Sequence, residues 1–167
     1  YRKEVKTNYF SLEKDGKEAL GRAIDRFFDL TRIMAQRQGI PHRPKDYFIR
    51  LFEAFPSSRV YESSYNGQAL SSALSIPYGK KLFYMYGASG NSERNRMPNF
   101  QMQWEMIKWA LQMGMDWYDF GGVFGLSDAD GLYRFKNGFC HSQGCTEWIG
   151  ELDLVYDKKA YENFLQA

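Results

Sequence analysis

Apolar residues recur at helical spacing from Ala19 to Met34, with Ile24, Phe27, Phe28, Leu30 and Ile33 between them. That spacing predicts an amphipathic helix. Gly16 breaks the chain ahead of it, and Gly39 suits the left-handed residue that closes a helix. Upstream, residues 2–10 (RKEVKTNYF) read as a strand that begins with charged residues. Pro41 and Pro44 make a tight connection to a second helix, Asp46 to Phe55, with Phe48, Leu51, Phe52 and Phe55 along one side. Pro56 ends it, because the residue before a proline is pushed out of the helical region.

A run of strands follows. Arg59 to Tyr65 is the first, and Asn66-Gly67 is a two-residue hairpin signal. Leu70 to Pro77 is the second and Lys81 to Tyr86 the third, joined by a turn at Tyr78-Gly79-Lys80. Gly87 to Met97 is a polar loop. Pro98, well placed in a first turn, opens a long helix through Gly114. Apolar residues surround nearly all of that helix, so it is expected to be largely buried. Trp117 to Phe120 reads as a short strand and Leu132 to Phe139 as a short helix or turn. Thr146 to Tyr156 reads as a last strand and Lys158 to Leu165 as a closing helix. The order is that of a mixed α+β protein.

Composition narrows the function classes. Hydrophobic residues make up 44% and charged residues 25%, a globular balance in a chain of 167 residues. The net charge of +2 is too small to attract nucleic acid through the overall field, so any such contact needs a local patch. No apolar run reaches the roughly 20 residues that span a bilayer, and no signal peptide is visible at Tyr1. Cys140, His141 and Cys145 resemble half a metal site, but a structural zinc needs four ligands and the other histidine is the distant His42. No metal is expected. A disulfide is allowed by count, and free thiols fit a cytosolic protein better.

Six local sequences occur together: HRPKDYF at 42–48, YMYGASG at 84–90, PNFQMQWEMIKWAL at 98–111, YDFGGV at 118–123, GLYRFKNGF at 131–139 and EWIGELDLV at 147–155. In this order and spacing they resemble the Fem family of peptidoglycan-precursor peptidyltransferases. The resemblance implies a GNAT-like acyltransferase fold, a mixed and mostly antiparallel sheet flanked by helices. Residues 1–148 would form the second of two GNAT-like domains. Residues 149–167 would be the C-terminal strand and helix that pack on the first domain, which this sequence lacks. The implied reaction moves Ala, Ser or Gly from an aminoacyl-tRNA to the stem-peptide amine of a UDP-linked or lipid-linked muropeptide. The donor is a substrate, so no cofactor is implied, and the implied location is the cytoplasm or the inner face of the membrane. Two rivals are a coenzyme A-dependent GNAT acyltransferase and a non-catalytic half that docks a partner domain. The loop GASGNSERNRMPN lacks the usual basic Gly-x-Gly pyrophosphate arrangement, which counts against coenzyme A.

The resemblance also assigns residues. Lys136 would stabilise developing negative charge, a role worth roughly 3–4 kcal/mol by analogy with oxyanion-hole donors. Phe135 would sit beside the terminal adenosine. Arg43, Tyr47 and Tyr86 would hold the precursor, with the planar guanidinium on its phosphates. Pro41 stands where the family can use a hydroxyl. Strand alternation would put Tyr84 on the same face as Tyr86. Arg94, Arg96 and Arg134 would contact the tRNA acceptor end. Each has a plainer reading as a solvated or core side chain. Asp119 reads as a cap of the turn before Gly121-Gly122, and Gln103 and Glu105 as part of a buried network or of the helix surface.

Overall fold

The computed structural model describes residues 4–140, 144–147, 150 and 152–165. The chain forms two compact units that divide after Gly122.

The first unit opens with β1 (Lys6–Phe10) and α1 (Leu12–Gln38). Ser11 caps α1: its hydroxyl accepts from the Lys14 N–H at 3.2 Å, while its own N–H donates to Asp15 at 3.0 Å. Gly16 sits at φ 73°, ψ 174°, so the first turn and the main helix meet at a kink, as the glycine break predicts. Gly39 closes α1 in the left-handed region, its N–H donating to the Ala35 carbonyl. Next come α2 (Lys45–Ala54), β2 (Arg59–Tyr65), β3 (Gln68–Tyr78) and β4 (Lys81–Ser89). Asn66 and Gly67 join β2 to β3 with φ of 48° and 77°, the positive values of a tight hairpin. A short 3₁₀ turn at Arg94–Arg96 precedes α3 (Pro98–Gln112) and β5 (Trp117–Asp119).

The sheet order is β1-β2-β3-β4-β5. All neighbours are antiparallel except β4 and β5. Alternate residues of β2 and β3 feed two cores. Val60 and Leu74 join Ile24, Phe27, Phe48 and Phe52 beneath α1 and α2. Tyr61 and Ala73 join Leu82, Met102, Met106 and Trp109 beneath α3. With helices on both faces, β3 is buried continuously from Leu70 to Ile76.

Three expectations need correction. First, α3 is buried on one face only: Phe100, Trp104 and Leu111 are exposed opposite Met102, Met106 and Trp109. Apolar identity all round a helix does not dictate burial all round, since much of a protein surface is apolar. Second, Tyr84 and Tyr86 do not share a face. Leu74 pairs with Tyr86 and Ser75 with Tyr84, so Met85 is an extra residue in a β-bulge. Tyr86 packs against the α1–α2 core and Tyr84 against the α3 core. Third, Thr146 to Tyr156 forms no strand among its described residues. A strand needs a neighbour for its backbone groups, and none pairs with this segment among the described residues. Trp148, Ile149 and Glu151 of that expected strand lie outside the described residues, as do residues 2 and 3 of the first.

The second unit contains α4 (Gly131–Cys140) and α5 (Lys158–Leu165), close to the bounds expected from sequence. No described helix is long and apolar enough to cross a membrane.

Candidate functional site

β4 and β5 pair only from Lys81 to Phe83, opposite Trp117 to Asp119. Beyond Phe83, β4 stays paired with β3 as far as Ser89 and has no further pairing with β5, which ends at Asp119. The bulge at Met85 lies on this stretch and turns the strand's tyrosines to opposite faces.

On the α1–α2 face, three residues expected to bind substrate converge. The Tyr47 and Tyr86 hydroxyls are 2.9 Å apart. Arg43, in the loop before α2, lies over the Tyr47 ring at 5.5 Å. Tyr47 is placed by α2, which packs Phe48 edge-on to both Phe27 and Tyr86 at 5.0 and 5.3 Å. Burial pushes the Tyr86 phenol up, and its bond to Tyr47 pushes the same way, while Arg43 pulls it partly back. Tyr86 therefore keeps its proton at neutral pH and can donate it. Next to this cluster is a cleft of about 490 Å³ whose walls include Phe27, Met34, Pro41, His42, Arg43 and Tyr86. A guanidinium and a phenol beside an apolar wall suit an anionic group attached to a larger ligand.

On the α3 face the chemistry is closed off. Gln103 is fully buried and its Oε1 accepts from the Tyr118 hydroxyl at 2.5 Å. A Cβ at Gly87 would fall 1.7 Å from the Tyr84 hydroxyl, so that phenol lies against the bare backbone of its own strand. Burial raises Tyr84 to about 12, with Gln103 opposing the shift. The network joins β4, β5 and α3, which makes Gln103 part of the core. Glu105 stays on the helix flank, paired with Lys108 at 2.8 Å. Asp119 accepts from the Gly121 N–H at 2.8 Å and pairs with Lys81 at 3.2 Å, the turn-capping arrangement expected of it.

Lys136 and Phe135 lie on α4 of the second unit. Lys136 is only 8% exposed. Phe135 stacks edge-on with Phe139 at 5.5 Å. Cys140 stands one turn after Lys136 and its thiol is pushed up by burial and by nearby Cys145, while Lys136 pulls it down. No cluster of three metal-ligating side chains occurs among the described residues. His141 is outside them.

The expected tRNA contacts are spread over both units. Arg94 and Arg96 sit in the 3₁₀ turn of the first and Arg134 on α4 of the second. Arg96 is already engaged: it pairs with Glu93 at 2.6 Å and Glu4 at 3.5 Å, over the Tyr65 ring at 3.6 Å. Arg134 reaches the Asp128 carbonyl at 3.4 Å. Sequence reasoning passed over Arg37. From the last turn of α1 it donates to the Ser89 and Gly90 carbonyls, both at 3.1 Å, to the Ser89 hydroxyl and to Asn91. It thereby fixes the point where β4 leaves the sheet. A lone arginine ending a helix looks like a dipole partner, so the sequence held no signal for this clasp.

The sheet order and the single parallel pairing, with helices on both faces, fit a GNAT-type fold. Solved structures agree. A ribosomal-protein-alanine N-acetyltransferase from Brucella melitensis matches with a TM-score of 0.60 at 11% identity, covering 90% of this chain and 99% of that one. FemX matches with a TM-score of 0.69 at 20% identity, covering 81% of this chain and 50% of that one. Residues 58–166 match the FemAB family. Over 145 residues the chain is 38% identical to UDP-N-acetylmuramoylpentapeptide-lysine N(6)-alanyltransferase of Weissella viridescens, covering 86% of this chain and 43% of that protein. Over 101 residues it is 42% identical to lipid II:glycine glycyltransferase of Staphylococcus haemolyticus, covering 58% of this chain and 24% of that protein. The chain belongs to the FemAB family, and it spans less than half the length of these two relatives.

Proposed function

We propose that the protein transfers Ala, Ser or Gly from an aminoacyl-tRNA to the stem-peptide amine of a peptidoglycan precursor, UDP-linked or lipid-linked. The observation that carries this reading is the convergence of Arg43, Tyr47 and Tyr86 beside a cleft in a member of a family whose relatives act on such precursors. Both precursor types carry a pyrophosphate. A planar guanidinium backed by two phenols suits that group.

The reaction is aminolysis of an ester. The amine nitrogen attacks the aminoacyl carbonyl carbon, and the bond from that carbon to the ribose oxygen breaks. The amine proton ends on the departing hydroxyl. The ester is already activated, so positioning and charge stabilisation are the main tasks. In this reading Lys136 supplies the cation beside the developing oxyanion. Its low exposure supports the role, because a desolvated charge acts more strongly than a solvated one. Phe135 flanks the donor's terminal adenosine, and Arg94, Arg96 and Arg134 steady its phosphates. The donor is a substrate and no cofactor takes part.

A first GNAT-like domain completes the enzyme, and residues 149–167 pack on it. Leu152, Leu154, Tyr156, Phe164 and Leu165 are 65–94% exposed, a density of bare apolar residues that favours a partner surface. The reaction takes place in the cytoplasm or at the inner face of the membrane.

The test is transfer from radiolabelled alanyl-, seryl- and glycyl-tRNA to a UDP-linked pentapeptide, with this chain alone and joined to the rest of the polypeptide. Label should reach the pentapeptide only with the joined protein. Absence of transfer from all three donors, to lipid II as well, overturns the reading.

A further inference from the structure

The cleft beside Arg43 has walls from different elements. Phe27, Thr31, Met34 and Ala35 of α1 form one, and Tyr86 and Gly87 of β4 form another. Arg37, on the last turn of α1, ties these two elements together just past the cleft. Its Nη1 donates to the Ser89 and Gly90 carbonyls, both at 3.1 Å, and to Asn91. Its Nη2 donates to the Ser89 hydroxyl at 3.1 Å. No other side chain hydrogen-bonds between α1 and β4 among the described residues. The acceptors are all neutral, so the planar fork of the guanidinium makes this clasp, not a countercharge. Gly90 is held on its other sides as well: its N–H donates to the Leu70 carbonyl at 2.9 Å, and an added Cβ would meet Leu30 of α1 at 3.4 Å.

Arg43 sits in the connection that leaves α1 directly after this clasp. The connection runs from Gly39 to Pro44. It is short, and Pro41 and Pro44 each fix a φ angle in it. Its start is tied to β4 through Arg37. Its end is tied to β4 through the bond between Tyr47 of α2 and Tyr86. Arg43 itself makes no ion pair among the described residues and rests on the Tyr47 ring. The place of its guanidinium therefore depends on the backbone that carries it, and that backbone is braced at both ends against one strand. With the Arg37 brace removed, the connection keeps only its α2 anchor, and the fraction of molecules with Arg43 facing the cleft falls. Apparent affinity falls by the same fraction.

Resting on the reading of Arg43, Tyr47 and Tyr86 as the acceptor site, we infer that Arg37 is a positioning residue that acts through Arg43. It holds the end of α1 against β4 and so presents the Arg43 guanidinium to the acceptor.

Steady-state transfer by the full-length protein tests this, with UDP-linked pentapeptide or lipid II, whichever accepts label, and with urea midpoints to show that each variant is folded. Arg37→Met should raise the acceptor KM about tenfold and leave kcat and the donor KM within twofold. Arg37→Lys keeps the charge without the fork and should still raise the acceptor KM at least threefold. In an Arg43→Ala background, Arg37→Met should change the acceptor KM less than threefold, because residues that act as one unit are not additive. An effect of threefold or more in that background overturns the inference. So does full recovery by Arg37→Lys, which would make Arg37 a point charge, or a loss confined to kcat. Arg43→Ala alone separates the two layers. If it raises the acceptor KM while Arg37→Met does not, the clasp inference falls and the acceptor site stands. If it leaves the acceptor KM unchanged, the acceptor reading itself falls.

Discussion

Tyr84 and Tyr86 sit two positions apart on one strand and serve opposite faces of the sheet, one sealed and one open to a cleft. Burial raises Tyr84 and Tyr61 to about 12. An unfolded tyrosine titrates near 10. The folded state therefore holds these protons more tightly, so their contribution to stability is complete below pH 10 and is lost as pH rises from 10 towards 12. Urea midpoints should be insensitive to these phenols at pH 7–9 and fall above pH 10. Tyr84→Phe should flatten that fall. Absorbance at 295 nm should show at least two tyrosines ionising well above the rest. The arginines of the 3₁₀ turn give a second residue-level contrast. Arg96 is held by Glu93 and Glu4, whereas Arg94 has no acidic partner within the described residues. Replacing one phosphate-contacting cation lowers the salt slope of nucleic-acid binding by about one. Arg94→Gln should do so for the aminoacyl-tRNA and Arg96→Gln should do so less. Equal slopes in both variants would remove Arg94 from the donor site.

Among the elements, α3 shows how far an apolar pattern can be read. Met106 is fully buried and Trp104 is 47% exposed, although both are large and apolar. Met106→Ala should cost about 2–5 kcal/mol, while Trp104→Gln should stay within roughly 0.5 kcal/mol. Urea unfolding of the two variants checks the face assignment, and a reversed order would rotate the helix. The same limit governs what was legible in advance. Gly16, Gly39 and Asn66-Gly67 mark their breaks because each needs a backbone angle that few residues adopt, so helices and hairpin could be placed from sequence. The bulge at Met85 carries no such mark: a two-residue alternation looks the same with or without an inserted residue, and the partner strand alone reveals the shift. Arg43, Tyr47 and Tyr86 were legible as a group through the family resemblance. The strand expected at Thr146 to Tyr156 is not seen among its described residues, and pairing belongs to two segments whereas sequence reports on one.

At the scale of the whole molecule, the acceptor cluster and Lys136 belong to different compact units, and their proposed roles are separable by kinetics. Arg43 touches the precursor before and during reaction alike, so its loss removes uniform binding. That raises the acceptor KM and leaves kcat nearly unchanged. Lys136 meets full negative charge only when the carbonyl oxygen becomes an oxyanion, so its loss should lower kcat by about 10²–10³-fold with little change in either KM. Lys136→Arg retains charge but spreads it over a broader planar group, and should recover part of the rate. Lys136→Met keeps the length of the side chain without charge and should recover none. Steady-state transfer by the full-length protein, with urea midpoints confirming that each variant is folded, distinguishes these outcomes. If Lys136→Met retains full kcat, the cation lies outside the reaction. If Lys136→Met and Lys136→Arg lose activity only in proportion to lost stability, the ammonium is a packing element of α4, and the charge that steadies the oxyanion must come from elsewhere in the protein.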